Sequence, residues 1–280
     1  MKTVLAFDIG GTNTRLAKID ENFNILQCEI IPTKVGGVKD FLDNVDEIIS
    51  RFDLSDVIAI GAGVPGVVDK KTAYIYDLPN VHIKDIPFGE YLKKKYGKEV
   101  FLRNDAEIAC LAEATLGAGK DYERVFFITI STGLGGALVV DKINQDYITE
   151  IGHTAYRYKD QMLEYEYLVS GTGIKNLCHL NGLEVKNSKE FFELYKSNDS
   201  KAKLVFDEWL KILNDFIHMI DNSYMPDIIT VTGGVMKEKE LFFDKIKASN
   251  PDLNIVETHF SEQSGLMGAA IYAFKMMQII

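Results

Sequence analysis

The sequence lacks the cysteine pattern of a disulfide-stapled fold. Its 280 residues hold three cysteines, Cys28, Cys110 and Cys178, odd in number, far apart and without a C-x-x-C pair. That usage suits a reducing compartment, so a cytoplasmic location is expected. Also missing is any run near the ~20 apolar residues of a membrane span. The N-terminus carries Lys2 but no apolar stretch with a cleavage site, so no signal peptide is expected. Lysine and arginine form no basic cluster, and the formal net charge is −10, which argues against a nucleic-acid partner. The short run Lys93-Lys94-Lys95 reads as a solvated helix end. Low-complexity segments and flexible linkers are absent. What remains is 46% hydrophobic and 26% charged, an ordinary globular composition, at a length that fits two domains or one large one.

The most informative segment is Asp8-Ile9-Gly10-Gly11-Thr12-Asn13-Thr14-Arg15, directly after the apolar strand Val4-Leu5-Ala6-Phe7. A carboxylate ends the strand. Two glycines then let the backbone turn tightly and bring N–H groups close to an anion. An alternating run, Leu16 to Asp20, returns as a second strand. The pattern is strand–glycine turn–strand, not the strand–glycine turn–helix of a dinucleotide or P-loop site. It suits a loop that holds nucleotide phosphates, with Asp8 facing their metal; the plain alternative is a hairpin turn with no ligand.

Further along, strands are expected near 3–8, 14–20 and 24–32. A helix with Phe41, Val45, Ile48, Ile49 and Phe52 on one face follows, then a buried strand from Asp56 to Gly63. Glu99 to Leu102 reads as a strand that delivers Arg103-Asn104-Asp105 at its end, and Ala106 to Leu116 as a helix stopped by Gly117. A second cycle then opens. Arg124 to Ile130 runs into Ser131-Thr132-Gly133-Leu134-Gly135-Gly136 and returns as Ala137 to Val140, echoing the first hairpin and suggesting two related domains. Trp209 lies in a long helix and reads as core. Asp227 to Val231 is a strand ending in Thr232-Gly233-Gly234, Lys237 to Ala248 a helix, and Gly265 to Met277 an apolar helix whose Gly268-Ala269-Ala270 permits close packing on a sheet. The boundaries read as 1–117 for a smaller N-terminal α/β domain and 118–264 for a larger one, with the final helix, 265–280, packing back on the first.

Three strand ends thus carry glycine turns, and Asn104-Asp105 sits at a fourth, where open sheets place ligands. Together with Gly63-Val64-Pro65-Gly66-Val67-Val68-Asp69, Leu78-Pro79-Asn80, Glu150-Ile151-Gly152-His153, Glu166, Ser170-Gly171-Thr172 and Gly233-Gly234-Val235, these motifs resemble the ROK family of sugar kinases, in family order and over nearly the full chain. The resemblance implies a two-domain α/β fold of the actin-like ATPase (ribonuclease H-like) type with a central cleft. It also implies ATP-dependent phosphorylation of a sugar hydroxyl, usually the 6-hydroxyl, of a hexose or N-acetylhexosamine of glucose or N-acetylmannosamine type. Position by position, it makes Asp105 the general base. Asn80, Asn104, Asp105, Glu150, His153 and Glu166 become sugar contacts. Gly10, Gly11, Thr12, Ser131, Thr132 and Gly133 become the phosphate cradle, and Gly233 and Gly234 the shelf beneath adenosine. Asp8 becomes a partner of Mg2+, directly or through water. A homodimer stays open. Read from the residues alone, Asp105 is also a helix N-cap candidate, and Glu150 with His153 a surface salt bridge.

Two departures stand out. Many ROK proteins carry a zinc site of three cysteines and the histidine of the Gly-His motif. Residues 154–165 contain no cysteine, so no zinc is expected; Tyr156, Tyr158, Met162 and Tyr165 are the candidates to pack in its place. Glu107 replaces the family's frequent asparagine; it either adds a negative charge near Asp105 or, as expected here, points to solvent as a first-turn helix acid. A repressor of the same family would need a helix-turn-helix module ahead of the body, and the first motif starts at residue 8. A catalytically inactive sugar-binding regulator is the alternative function; Asp105 and the glycine turns favour the kinase.

Overall fold

The structure, a computed structural model, describes residues 1–145 and 150–280, and of Asn80 the backbone only. The chain forms two compact units, Met1–Gly117 with Glu262–Ile280, and Ala118–Ser261.

In the first unit the alternating N-terminal runs form β1 (Thr3–Ile9), β2 (Asn13–Asp20) and β3 (Ile25–Pro32). Then come α1 (Val38–Ile49), β4 (Val57–Val64), β5 (Val67–Asp69), β6 (Tyr74–Leu78), β7 (Ile83–Ile86), α2 (Phe88–Tyr96), β8 (Glu99–Asn104) and α3 (Asp105–Thr115). The main sheet runs β3-β2-β1-β4-β8, and β5-β6-β7 form a small second sheet. β1 is antiparallel to β2 but parallel to β4, which is parallel to β8. Six of the seven β1 residues are buried because both faces of the sheet are covered. On one side α1 brings Phe41, Val45, Ile48 and Ile49 from a single stripe into a core with Leu5, Phe7 and Ile60; each such side chain contributes roughly 1.5–3 kcal/mol of burial. On the other side lies the closing helix, Ser264–Met276. Its small residues do more than pack on a sheet. A Cβ on Gly268 would lie 1.9 Å from the carbonyl oxygen of Ile108, and one on Gly61 would lie 2.1 Å from that of Ala269. The closing helix is wedged backbone-close between α3 and β4.

The second unit contains β9 (Arg124–Ile130), β10 (Leu134–Val140), β11 (Ile143–Asn144), β12 (Ala155–Tyr158), β13 (Gln161–Glu164), α4 (Tyr165–Val169), α5 (Gly171–Leu180), α6 (Ser188–Lys196), α7 (Ser200–Tyr224), β14 (Ile228–Thr232), α8 (Phe243–Ser249) and β15 (Ile255–Glu257). The closing helix of the first unit is therefore α9. Sheet order is β11-β10-β9-β14-β15. β9 is antiparallel to β10 and parallel to β14, so the winding of the first sheet is repeated. α7 is capped by Asp199, whose Oδ1 accepts from the Ala202 N–H at 2.8 Å. Trp209, fully buried, donates its indole N–H to Val169 O at 3.0 Å and packs edge-on against Phe192 and Phe242.

The expected helix from Lys237 to Ala248 is instead two pieces, a 3-10 stretch Gly234–Leu241 and α8. Phe242, at φ −138°, leaves helical geometry between them and turns its ring into the core beside Trp209. Burying an aromatic ring outweighs the helical preference of a short polar run.

Candidate active site

In the first unit the candidate residues gather at the carboxyl ends of adjacent parallel strands. Asp8 of β1 pairs with Gly63 of β4, and Val64 of β4 pairs with Asn104 of β8. The turn after β1 closes with the Gly10 N–H donating to Asn13 O at 2.9 Å, and Thr33 Oγ1 donates to Gly10 O at 2.7 Å. Asp8 faces Arg15 across the hairpin at 4.0 Å. Burial raises the Asp8 carboxyl above its ordinary value and the Arg15 charge opposes that rise. The first turn of α9 is cut back around this carboxylate: a Cβ on Gly265 would lie 2.7 Å from it.

At the end of β8, Asn104 takes the N-cap of α3. Its Oδ1 accepts from the Ala106 N–H at 2.9 Å, and its amide donates to Gly66 O at 3.3 Å. Asp105, the first residue of α3, also accepts from the Ala106 N–H through Oδ1, at 2.8 Å. The capping role that sequence alone allowed for Asp105 thus belongs chiefly to Asn104. Gly66, at φ +108°, needs its missing side chain: a Cβ would lie 2.2 Å from Asp77 O and 2.7 Å from the Pro79 ring. The three motifs Gly63–Gly66, Leu78–Asn80 and Asn104-Asp105 therefore meet in one place. Asn80 lies in the 3-10 turn Pro79–Val81, and its side chain is outside the described residues.

In the second unit the turn after β9 is gripped from several sides. Glu166, in the first turn of α4, accepts the Leu134 N–H through Oε2 at 2.8 Å. The Gly171 N–H donates to Ser131 O at 2.6 Å and the Thr172 N–H to Thr132 O at 3.2 Å. The Gly234 N–H donates to Ser131 Oγ at 3.2 Å. Gly233, at φ +111°, lies so close to β9 that a Cβ would sit 2.4 Å from Ile130 O. The structure thus brings Ser131, Thr132, Gly133, Glu166, Gly233 and Gly234 together. Gly135 and Gly136, read as part of the turn, are inside β10.

Glu150 precedes and His153 ends a 3-10 turn, Ile151–His153, that leans on β10; a Cβ on Gly152 would lie 2.2 Å from Leu134 O. His153 Nδ1 is 2.9 Å from Glu164 Oε2, and Nε2 is 4.0 Å from Glu150 Oε2. The bond to Glu164 holds the imidazole pKa above its ordinary value, partial burial opposes this, and Glu166 and Glu150 add to the rise.

Two expectations are corrected. Glu107 does not point to solvent. It is buried, with Oε1 3.0 Å from Lys70 Nζ and Oε2 3.3 Å from Arg103, whose guanidinium lies 4.7 Å from the centre of the Tyr272 ring. The i,i+4 spacing to Arg103 was a readable hint; Lys70, 37 residues away, was not. Residues 155–164 form the β12–β13 hairpin, in which Tyr156 and Tyr158 pack inward but Met162 is 59% exposed. Glu164, the partner of His153 in this hairpin, is not marked by any motif. Its signal, a carboxylate two residues before Glu166, is weak without the hairpin register.

The donor sets discriminate between metals. Residues 154–165 supply no thiol, and His153 by itself does not fit tetrahedral zinc, which takes about four ligands. Among the described residues no group of three or more His, Cys, Asp or Glu side chains could hold a metal. One carboxylate beside a glycine turn fits magnesium, which is carried largely by substrate phosphates and water. Cys178 is buried and its thiol is pushed up to about 12, which makes it inert as a nucleophile.

The family model of the ROK family matches residues 4–276. The chain belongs to the ROK family. It is 24% identical to the glucokinase of Thermotoga maritima, over 95% of this chain and 96% of that one. It is 27% identical to the N-acetyl-D-glucosamine kinase of Haemophilus influenzae, over 94% and 96%. A ROK family glucokinase from Streptomyces griseus, solved with glucose and AMPPNP, superposes with a TM-score of 0.78 at 24% identity, covering 98% of this chain and 99% of that one. The fold of this ROK protein is that of the actin-like ATPases. Among the described residues no helix is long and apolar enough to cross a membrane.

Proposed function

We propose that this ROK protein is an ATP-dependent sugar kinase that phosphorylates the 6-hydroxyl of a hexose or N-acetylhexosamine. The observation that carries the reading is the pair of like-wound sheets, each ending its central strand in a glycine turn, with Asn104-Asp105 at the strand ends of the first. Relatives named glucokinase and N-acetyl-D-glucosamine kinase support both sugar classes.

In this reading the backbone of Gly10, Gly11 and Thr12 in the first unit, and of Ser131, Thr132 and Gly133 in the second, holds phosphate oxygens. Gly233 and Gly234 offer a side-chain-free surface to adenosine. Asn80, Asn104, Glu150, His153 and Glu166 bind sugar hydroxyls, for which carboxylates, amides and imidazole are natural partners. Asp105 accepts the proton of the attacking hydroxyl as its oxygen bonds to the γ-phosphorus and the bond from that phosphorus to ADP breaks. Phosphoryl transfer demands positioning and charge neutralisation above all, so Asp105 needs correct placement more than unusual basicity. Magnesium arriving with ATP would neutralise phosphate charge, with Asp8 as its protein partner.

The test is ADP release from ATP and Mg2+ across a panel of glucose, mannose, N-acetylglucosamine and N-acetylmannosamine, with the phosphorylated position read by NMR. Sugar-dependent ADP release with a 6-phosphate product is expected. Sugar binding without ADP release, seen by calorimetry, would instead make the protein a sugar-binding regulator.

A further inference from the structure

His153 and Glu164 stand at the base of one hairpin. Glu164 pairs with Ala155 across β12 and β13, and the Tyr165 N–H donates to Thr154 O at 3.1 Å. The hairpin is held firmly from behind. Tyr156 donates its hydroxyl to Asp215 at 2.8 Å, and the Asn181 amide donates to the Tyr158 hydroxyl at 2.9 Å. The rings of Tyr156, Tyr165 and Phe216 follow one another at 4.9 and 5.1 Å between centres. The Glu164 backbone is therefore placed by strand register and aromatic packing.

An ionised carboxylate only accepts hydrogen bonds, so the ring nitrogen facing it must carry the proton. At 2.9 Å, Glu164 takes the Nδ1–H of His153. Nε2 is left as the nitrogen that can meet a ligand, since Glu150 at 4.0 Å is beyond hydrogen-bond reach.

We propose that Glu164 is the positioning residue for His153, holding the ring by its Nδ1–H so that Nε2 is presented to an oxygen of the bound sugar. The inference rests on the sugar-kinase reading above. The bond to Glu164 and the charges of Glu166 and Glu150 favour the protonated form of the ring, against the opposing effect of partial burial. A protonated ring donates from Nε2, so sugar affinity should weaken as pH rises through the His153 pKa.

The test compares wild type with Glu164→Gln and Glu164→Ala in the full chain. Glu164 is about half exposed, so both variants should fold, which circular dichroism verifies. Long-range 15N–1H NMR of the imidazole, recorded above the His153 pKa and without sugar or nucleotide, should find the proton on Nδ1 in wild type. In Glu164→Ala that preference should be lost and the His153 pKa should fall. The sugar KM should rise about 10- to 100-fold in Glu164→Ala, the range for a hydrogen bond to a charged group. It should rise less in Glu164→Gln, whose amide oxygen can still accept from Nδ1–H, while kcat stays within a few-fold in both. In Glu164→Gln the pH limb of KM should move to lower pH. An unchanged imidazole spectrum in Glu164→Ala overturns the proposal. So does a changed spectrum with an unchanged KM, since the ring would then not meet the sugar. If wild type phosphorylates no sugar in the panel, the kinase reading fails, and with it the sugar-presenting half of the proposal; the NMR arm still decides whether Glu164 holds the ring.

Discussion

The glycine turn that ends β1 is tied to its own hairpin and to Thr33, whereas the turn that ends β9 is gripped by Glu166, by the start of α5 and by Gly234. The two sheets are wound alike, so the difference lies in what was added around each. In the second unit the helix that supplies Glu166 follows directly on the hairpin that supplies Glu164. The proposed phosphate turn and the proposed sugar contacts of that unit are one connected piece. In the first unit the turn after β1 and the Asn104-Asp105 corner belong to separate strands, joined through β4. One unit combines its roles; the other divides them.

That contrast can be broken most forcefully at Asp105. Asp105→Asn should lower turnover by about 10²- to 10⁴-fold, the usual worth of general-base assistance. Sugar affinity and thermal stability should hardly change, because Asn104 already caps α3. Near-normal turnover would show that the corner's role is not proton transfer. Next comes a matched pair of glycines. In Gly233→Ala the new methyl meets three backbone atoms of Ile130 at 2.4–2.6 Å, at φ +111°. Overpacking with strain should cost about 2–4 kcal/mol in urea unfolding. In Gly10→Ala the nearest atom is Asn13 O at 3.2 Å, and the cost should stay below ~1 kcal/mol. Equal costs would erase the distinction between a gripped and a lightly tied turn.

The smallest effect concerns Asp8. Its carboxyl pKa is raised by burial from an ordinary value of 3.8. A carboxyl raised in the folded state contributes stability below pH ~3.8 that is lost as pH rises through the folded pKa. Asp8→Asn should therefore melt higher than wild type at pH 7, with the gain vanishing as pH falls below 3.8. Magnesium-dependent turnover should fall in the same variant. A lower melting temperature at pH 7 would mean that the Arg15 attraction outweighs the burial penalty.

The hairpins were legible because apolar alternation broken by Gly-Gly or Thr-Gly is a local signal. The helix faces of α1 and α7 were legible for the same reason. What sequence could not convey was set by distant partners. Glu107, on α3, is buried with Arg103 and with Lys70, which reaches it from the turn after β5. The stretch 237–248 is broken because Phe242 is drawn to Trp209, on a different helix. Met162 is exposed because hairpin register, and not hydrophobicity, decides which side chains face in. Within the candidate site, the strand-end residues were readable from motif order. Glu164 was not, since its partnership with His153 exists only once β12 and β13 pair.

The backbone-close seat of α9 against α3 and β4 has a consequence for how the protein is made. The first unit lacks the cover for one face of its sheet until residues 264–276 emerge from the ribosome, by which time all of 118–261 has been synthesised. The second unit is continuous in the chain and can complete its core first. The strands of the first unit, translated before the second unit, must wait with the α9-facing side of β1 and β4, Gly61 included, uncovered. Chaperone dependence during synthesis should therefore fall on the first unit, whose two segments lie on either side of the second in the chain.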